Sequence, residues 1–371
     1  MNASSDVLVV GGGVIGLTTA YFLARDGVRV TVVDRGEMGR EASWAGAGII
    51  PPGNPDRAAH PGDRLRALSA RMYPLFSAEL RERTGVDNGY VRCGGVEMGR
   101  PDLALMELWR DEDIEFHWVN GPLTQIEAAF TAELYDFNYY FPDEAQVRNP
   151  WHLRALILSC ESLGVRLVPN CPVRRLNLAG SQVEAVETES GRLVAGRYLV
   201  AAGPWTEQLM PNGPHVFPVR GQMVLFRPRM PLFRTILSRG GKYLVPRQDG
   251  RVLAGSTEEE VGFDKRTTEE AIRDLTATAR AWVPALCDAP VETTWAGLRP
   301  ATRDGLPYLG RMPGFDNLYV AAGHFRMGIQ MSPATGLVMA ELLQDQATTL
   351  PLATFAPDRP PTAAHRLAFY S

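Results

Sequence analysis

The sequence predicts an α/β fold in which a parallel sheet is combined with a second sheet of antiparallel strands. A strand, a glycine-rich turn, a helix and a second strand follow one another at the start of the chain, and strand-like alternation returns in its middle. The chain has 371 residues, of which 45% are hydrophobic and 22% charged. This composition and length indicate a globular protein with about two domains.

The first elements form a βαβ unit. Residues 6–10 are an apolar run typical of a buried parallel strand, residues 14–26 carry apolar side chains at helical spacing and end at Gly27, and residues 29–33 are a β-branched second strand. Because such crossovers are right-handed almost without exception, we expect the two strands to lie parallel in one sheet.

Later segments alternate as antiparallel strands of a second domain do, and helices separate them. The predicted strands are residues 182–188, 222–227, 242–246 and 251–254, and the predicted helices are residues 64–84, 151–163, 269–282 and 333–344. We expect the proline-rich tail after Leu350 to form a strap.

The composition argues against several classes of function. The 38 Lys and Arg residues against 42 Asp and Glu give a net charge of −4, which disfavours nucleic acid or an anionic membrane as a partner. The uncharged stretch of residues 7–24 contains four glycines, so we do not expect it to cross a membrane. The four cysteines fit neither a disulfide framework nor a metal site, and the first residues lack a secretion signal. A cytoplasmic protein without a metal is expected.

The glycine-rich turn has the pattern G-x-G-x-x-G between a strand and a helix. Gly11 permits the tight turn, Gly13 lets the backbone approach a pyrophosphate, and Gly16 lets the helix pack against the strand. The helix N-terminus offers N–H groups and a partial positive charge to the phosphates. Asp34, at the end of the second strand, is placed to accept hydrogen bonds from ribose hydroxyls, so the sequence predicts a dinucleotide site.

The type of dinucleotide follows from residues beyond the turn. An acid at Asp34 suits the free 2′-hydroxyl of NAD or FAD and disfavours NADP. Within residues 41–50, the small residues Ala45, Gly46, Ala47 and Gly48 favour a flavin because they would let peptide groups lie close to a flat ring, although they also suit a glycine-rich loop under a packed helix. Ser332 and Pro333 predict a helix N-terminus, which would stabilise negative charge at the pyrimidine end of a reduced flavin.

Several motifs in the same order resemble the D-amino-acid oxidase family of flavoproteins, and within it the bacterial glycine oxidases that serve thiamine biosynthesis. The resemblance covers nearly the whole chain. It is carried by VLVVGGGVIGLTTAYFLA (7–24) with Asp34, ASWAGAGII (42–50), AAGPW (201–205), PVRGQ (218–222), KYLVP (242–246), GLRP (297–300) with Asp304 and Gly305, and GHFR (323–326) with Gly328.

The resemblance implies a non-covalent FAD and a discontinuous architecture. A Rossmann-like FAD-binding domain would comprise residues 1–83, 148–216 and 296–371, and an α+β substrate-binding domain on an antiparallel sheet would comprise residues 84–147 and 217–295. Val173 would contact the adenine through its backbone, and a homo-oligomer, a tetramer in related proteins, is implied. The implied cofactor-binding residues are Gly11, Gly13, Val14, Ile15, Gly16, Asp34, Arg35, Ser43, Ala45, Gly46, Ala47, Gly48, Val173, Ala202, Gly203, Trp205, Gly323, His324, Phe325, Arg326, Met327, Gly328 and Ile329.

Arg299 and Tyr243 are the candidate substrate-binding residues. The planar fork of an arginine matches a carboxylate, and a tyrosine hydroxyl can donate a further hydrogen bond to it. Composition alone would favour a salt bridge for Arg299 and ordinary packing for Tyr243, whereas the resemblance implies that both hold the carboxylate of an amino acid. Arg326 is expected at the substrate or the flavin, with a loop-stabilising ion pair as the alternative.

Two positions depart from the pattern of the glycine oxidases. Gly241 stands where a larger side chain is expected, and Glu258 stands where an apolar one is expected. One interpretation is a roomier pocket with a carboxylate that takes a larger or cationic amine. The other is that Glu258 begins an exposed acidic run.

The implied reaction is the oxidation of glycine, or of another small amine or amino acid, to an imine that hydrolyses to an oxo acid and ammonia. For glycine the oxo acid is glyoxylate, and dioxygen would be reduced to hydrogen peroxide. The alternatives are a sarcosine or D-amino-acid oxidase, an amine dehydrogenase using another electron acceptor, an NAD-dependent dehydrogenase, and a flavin-containing binding module without turnover.

Overall fold

Two large sheets organise the chain in the computed structural model, which describes residues 5–99, 102–131, 137–210, 212–360 and 367–369. The α-helices in these ranges are α1 (Val14–Arg25), α2 (Ala42–Ala45), α3 (Pro61–Thr84), α4 (Leu103–Asp111), α5 (Asn149–Ser162), α6 (Thr206–Leu209), α7 (Glu269–Trp282) and α8 (Gly328–Leu343). The strands are β1 (Ser5–Val10), β2 (Val30–Val33), β3 (Ile49–Ile50), β4 (Val91–Arg92), β5 (Gly95–Met98), β6 (His117–Trp118), β7 (Asn138–Phe141), β8 (Ala145–Gln146), β9 (Arg166–Val168), β10 (Val173–Ala179), β11 (Gln182–Thr188), β12 (Gly191–Leu193), β13 (Ala195–Val200), β14 (Phe217–Phe226), β15 (Ile236–Arg239), β16 (Lys242–Pro246), β17 (Val252–Gly255), β18 (Val291–Ala301), β19 (Tyr308–Arg311) and β20 (Leu318–Ala322).

The first sheet has six strands in the order β19-β20-β13-β1-β2-β9, and its neighbouring strands are parallel except for β19 with β20. Side chains of β1 alternate between the two faces. Val7 and Val9 pack with helices α1, α3, α5 and α8, while Leu8 and Val10 pack against the small sheet β10-β11-β12. The βαβ unit predicted from the sequence is confirmed, with its boundaries within one residue.

Strand β11 has the predicted bounds, but the alternation pattern assigned it to the wrong sheet. It does not join the antiparallel strands of the second sheet, because it pairs with β10 and β12 in a separate three-stranded sheet. Val183 and Val186 of β11 pack against the apolar face of the six-stranded sheet. Alternation shows that one face of a strand is buried, but not which sheet it covers.

The second large sheet has eight strands in the order β18-β14-β17-β16-β15-β5-β7-β6. It is antiparallel except for the parallel pair β15 and β5. Its two faces have different partners: Val224 and Leu244 pack in the core beneath α7, whereas Met223 and Tyr243 belong to a cluster with Ala47. The sheet therefore presents Tyr243 towards the segment that follows the second strand of the βαβ unit.

Helix α8 begins earlier than the sequence predicted. Ser332 and Pro333 were expected at its N-terminus, but the helix starts at Gly328 and contains Pro333 in its interior. A proline leaves the carbonyl four residues earlier without its helical partner. Here that carbonyl, of Ile329, accepts hydrogen bonds from the Tyr73 hydroxyl at 2.5 Å and the Ser332 hydroxyl at 2.9 Å. These substitute donors explain why the helix continues through the proline.

The described parts of the tail are bound to the rest of the chain. Arg359 pairs with Asp304 at 2.6 Å, and its guanidinium lies 3.7 Å from the centroid of the Tyr308 ring. Near the end, the backbone N–H of Ala368 donates to Asp63, and its carbonyl accepts from the indole of Trp109. The rest of the predicted strap, residues 361–366 and 370–371, lies outside the described residues.

The predicted division into two domains stays a prediction, since β18 pairs with β14 on both sides of the proposed boundary at residue 296. Among the described residues, no helix combines the length and the apolar character that a membrane span requires.

Candidate active site

The glycine-rich turn connects β1 to the N-terminus of α1. Gly11 has φ of +116°, and a Cβ there would lie 2.3 Å from the carbonyl oxygen of Ala201, so only glycine fits. A Cβ at Gly16 would lie 2.0 Å from the carbonyl oxygen of Gly11, which supports its predicted role in packing the helix against the strand. The N–H of Val14 donates to the Ser43 hydroxyl at 3.0 Å. The helix N-terminus thus meets the residues that follow β2.

Asp34 stands at the end of β2 beside this turn. One carboxylate oxygen accepts from the N–H of Gly12 at 2.7 Å, and the other accepts from the N–H of Gly36 at 2.9 Å. Burial raises the pKa of Asp34 above its ordinary value, while these two N–H groups act in the opposite direction. The carboxylate is therefore held in one orientation, with lone pairs remaining for the hydroxyls of a ligand.

A cleft with an empty volume of about 1600 Å³ runs along the turn and the carboxyl ends of the parallel strands, and we call it the dinucleotide cleft. The predicted cofactor residues that line it are Gly11, Gly13, Val14, Ile15, Asp34, Arg35, Ser43, Gly46, Ala47, Gly48, Val173, Ala202, Gly203, Trp205, Gly323, His324, Phe325, Arg326, Gly328 and Ile329.

Three predicted cofactor residues do not line the dinucleotide cleft. Gly16 lies behind it against β1, and Met327 is buried in the core with the helices. Ala45 lines an adjoining cavity instead. The wall also includes residues that sequence reasoning missed, among them Arg174 and Gln208. These have no motif of their own, because they reach the cleft from separate segments.

Residues 42–48, which comprise helix α2 and the turn after it and which we call the small-residue loop, lie between the dinucleotide cleft and the adjoining cavity. Ala42, Gly46, Ala47 and Gly48 line both. Side chains from three other segments donate hydrogen bonds to its carbonyl groups. Asn149 donates to the carbonyl of Ser43 at 2.7 Å, the indole of Trp295 donates to that of Ala45 at 3.1 Å, and Arg247 donates to that of Ala47 at 2.7 Å. The small-residue loop is thus held to the surrounding segments through its backbone carbonyl groups.

The donors of the small-residue loop remain available. In the part of the chain that the structure describes, no protein group accepts a hydrogen bond from the N–H of Gly46, Ala47 or Gly48. A Cβ at Gly48, where φ is +73°, would lie 2.2 Å from the carbonyl of Val147. The three consecutive free N–H groups of Gly46, Ala47 and Gly48 fit the polar edge of a flavin ring, and the donor of the buried Gly48 in particular requires such a partner.

The segment before α8 forms the opposite wall. Gly323 has φ of +87° and Phe325 has φ of +48°, and a single 3₁₀ turn, Phe325–Met327, leads into α8. His324 is buried, contacts the Thr335 hydroxyl at 3.2 Å, and has its pKa lowered to about 3 by burial. The imidazole is therefore neutral. Because α8 starts at Gly328, its N-terminal N–H groups reach the cleft five residues earlier in the chain than predicted.

The adjoining cavity, which we call the second cavity, has an empty volume of about 560 Å³. It shares part of its wall with the dinucleotide cleft, including Gly46, Ala47, Arg299 and Arg326. Another part of the wall comes from the eight-stranded sheet and includes Gly221, Met223, Tyr243 and Gly297, with Ser256 directly after β17. The three residues predicted to handle the substrate, Arg299, Tyr243 and Arg326, are thus brought together in one place.

Arg299 extends from β18 across β14. A Cβ at Gly221 would lie 2.2 Å from its guanidinium, so the glycine provides the space for this side chain. Nη1 donates to the carbonyl of Thr257 at 3.1 Å and Nη2 donates to the Ser256 hydroxyl at 2.7 Å. Burial lowers the pKa of Arg299 below its ordinary value, and the positive charge of Arg326 acts in the same direction. An anionic ligand would raise the pKa of Arg299 again, because it would stabilise the positive charge that burial disfavours.

Arg326 has an acidic partner. Its Nη2 donates to the carboxylate of Glu258, while its Nε is buried and has no acceptor among the described residues. A Cβ at Gly241 would lie 3.3 Å from Nη2 and 3.4 Å from Nη1. Glu258 itself is exposed, as the acidic-run interpretation predicts, but it also forms an ion pair at the edge of the second cavity.

Comparisons with known proteins agree with this geometry. The family model described as DAO, FAD dependent oxidoreductase, matches residues 6–342. A glycine oxidase of Pseudomonas aeruginosa is 37% identical over 365 residues, covering 95% of this chain and 99% of that protein. The crystal structure of glycine oxidase from Geobacillus kaustophilus is 32% identical with a TM-score of 0.90, covering 97% of this chain and all of that one.

A further solved structure is similar. Iminodiacetate oxidase from Chelativorans sp. BNC1 is 25% identical with a TM-score of 0.83, and the match covers 95% of this chain and 98% of that one. The family match confirms FAD, held non-covalently, in place of the NAD alternative. The chain belongs to the DAO family of FAD-dependent oxidoreductases.

Proposed function

We propose that the protein is an amino-acid oxidase that converts glycine, or another small amino acid or amine, to an imine. Water hydrolyses the imine to an oxo acid and ammonia, and dioxygen takes up two electrons and two protons to give hydrogen peroxide. With glycine, one dioxygen and one water are consumed for each glyoxylate, ammonia and hydrogen peroxide formed. Bound FAD supplies the two-electron oxidation and returns the electrons to dioxygen.

The observation that carries the proposal is the position of Arg299. Its guanidinium lines the second cavity and the dinucleotide cleft together, and no described carboxylate forms an ion pair with it. Two of its five N–H donors are used by Thr257 and Ser256, which leaves the others for a carboxylate. A carboxylate bound there lies next to the small-residue loop, where the flavin edge would be held.

Tyr243 supports the same orientation. Its ring packs on the cavity side of the eight-stranded sheet, and its hydroxyl lies 3.5 Å from the sulfur of Met223. A thioether is a weak acceptor, so the hydroxyl is readily redirected to a ligand carboxylate. Arg299 and Tyr243 would hold the acid group from two directions and thereby position the neighbouring carbon.

The second cavity contains no evident general base. The described residues that line it include no carboxylate and no histidine, the side chains that most often act as general bases. His324 lines the cleft but is buried against Thr335. The substrate amine must therefore lose its proton to solvent before oxidation, and kcat/KM should rise with pH towards the pKa of that amine.

The test is a panel of substrates assayed for peroxide in air and for flavin bleaching without air. The panel comprises glycine, sarcosine, D-alanine, D-proline, L-alanine and iminodiacetate, and Arg299→Met is assayed beside the wild type as the variant expected to bind the carboxylate weakly. We expect peroxide and an oxo acid from glycine or another small monocarboxylate. Bleaching without peroxide in air would indicate a dehydrogenase, and a flavin that no member bleaches would refute the proposed function.

A further inference from the structure

The second cavity contains two guanidinium groups with different surroundings. Arg299 has neutral partners, the Thr257 carbonyl and the Ser256 hydroxyl, whereas Arg326 has the carboxylate of Glu258. In the described part of the chain no carboxylate lines this cavity. Two arginines would make it suitable for two acid groups, but Glu258 cancels the charge of one of them from outside the cavity wall.

Arg326 lies between Glu258 and Gly241, and this position favours the ion pair with Glu258. Its side chain is 14% exposed, while that of Glu258 is 45% exposed and so remains in contact with solvent. Gly241 lies on another side of the guanidinium, within 3.4 Å of both terminal nitrogens as measured from an ideal Cβ. Glycine at this position gives Arg326 room to turn towards Glu258.

We propose that Glu258 determines whether the site prefers substrates with one carboxylate or substrates with two. By pairing with Arg326 it leaves Arg299 as the cavity-lining guanidinium without a carboxylate in an ion pair, so that the site prefers amines with one carboxylate to amines with two. This inference rests on the proposed function and specifies its substrate class.

The electrostatic argument follows from the contacts. A second carboxylate that approached Arg326 would have to displace Glu258 or lie beside it, and like charges at close range are strongly unfavourable in a partly buried site. Without the glutamate charge, Arg326 could offer Nη2 and its unpartnered Nε to a second acid group. The bidentate geometry of arginine suits this role.

A cationic substrate would require Glu258 to act differently. Glu258 would then have to leave Arg326 and bind the positive group of the substrate. The charges of Arg299 and Arg326 would then repel each other and the incoming cation. The observed ion pair, and the location of Glu258 outside the cavity wall, favour the neutralising role. The two roles predict opposite effects of removing the charge.

The first test compares Glu258→Gln with Glu260→Gln, which removes an equal charge from an exposed acid two residues away. The measured quantity is the ratio of kcat/KM for iminodiacetate to kcat/KM for glycine. We expect Glu258→Gln to raise this ratio roughly tenfold, as removal of one unit charge at a partly screened distance implies, and Glu260→Gln to leave it unchanged. FAD content, read from the flavin absorbance, checks that each variant folds.

The second test measures binding without turnover. Acetate and malonate carry one and two carboxylates and no amine, and their dissociation constants are obtained from the perturbation of the flavin spectrum. Glu258→Gln should tighten malonate relative to acetate by a similar factor. In an Arg326→Gln background the same change should have a much smaller effect on the ratio, because the ion pair is then absent and only the weaker, direct action of the Glu258 charge on Arg299 remains.

The outcomes separate this inference from the proposed function. If the wild-type protein oxidises glycine but Glu258→Gln leaves both ratios unchanged, the inference is wrong and the proposed function stands. If Glu258→Gln instead lowers activity with D-lysine relative to glycine, the glutamate binds a cation and the inference is overturned. If no amino acid reduces the wild-type flavin, the proposed function itself is refuted, whereas the acetate and malonate titrations still test the role of Glu258.

Discussion

Replacing Arg299 with methionine is the most informative perturbation of the proposed site. Methionine keeps most of the bulk above Gly221 while it removes the charge and every donor. In the wild-type protein, the Arg299 guanidinium uses two donors for Thr257 and Ser256 and has others available for a carboxylate. Two hydrogen bonds between charged groups contribute about 3–4 kcal/mol, so kcat/KM for glycine should fall about 10²- to 10³-fold.

The loss should occur mainly as a higher KM, with a smaller decrease in kcat because the carbon to be oxidised is also less well oriented. The assay is steady-state peroxide formation together with a titration of FAD into the apoprotein. FAD affinity should change little, since the glycine-rich turn, Asp34 and the small-residue loop are untouched. Arg303→Met, at an exposed position shortly after β18, is the matched control. Unchanged kinetics in Arg299→Met with full FAD content would show that this arginine does not bind the carboxylate.

Three further predictions concern the cofactor site and the second sheet. Arg247→Met removes the donor to the Ala47 carbonyl, so FAD should dissociate roughly tenfold more readily in a fluorescence titration, and unchanged affinity would contradict the proposed support of the loop. Asp34→Ala should raise the FAD dissociation constant about 10- to 100-fold, while kcat at saturating FAD stays near the wild-type value. A loss confined to kcat would argue against ribose binding by Asp34. Glu144→Gln tests a buried carboxyl whose pKa is raised to about 8 by burial. The folded state holds this proton more tightly than the unfolded state does. The free energy of unfolding of the wild type should therefore fall relative to that of the variant between about pH 5 and pH 8, by at most about 1.4 kcal/mol per pH unit. Urea unfolding curves that differ equally at all pH values would contradict this.

Local sequence patterns predicted the features whose cause is local. The turn at Gly11 and Gly13, helix α1 and the acid at Asp34 follow one another within a single βαβ unit, so their geometry is set by neighbouring residues. Strand β16, with Tyr243, was predicted with the bounds that the structure has. Helix α7 was also predicted with its observed bounds, because Thr268 provides a side-chain N-cap and Glu269 and Glu270 stand in the first turn.

Features that depend on distant partners were not predicted. The start of α8 was placed five residues late because the donor that compensates Pro333 is Tyr73, which lies far away in the sequence. The lining residues Gly221, Met223 and Ser256 reach the second cavity from two strands that meet only in the folded sheet. The pair of Glu258 and Arg326 likewise joins loops of different sheets, so the sequence showed an acidic run but not its partner.

The central claim is that Arg299 binds the acid group of the substrate beside the flavin ring. A crystal structure of the FAD-bound protein with acetate tests it directly. We expect both acetate oxygens within hydrogen-bond distance of the Arg299 guanidinium, with the hydroxyl of Tyr243 also in contact and the methyl carbon facing the flavin. Acetate bound elsewhere in the second cavity, or a flavin ring that lies away from the small-residue loop, would contradict the claim.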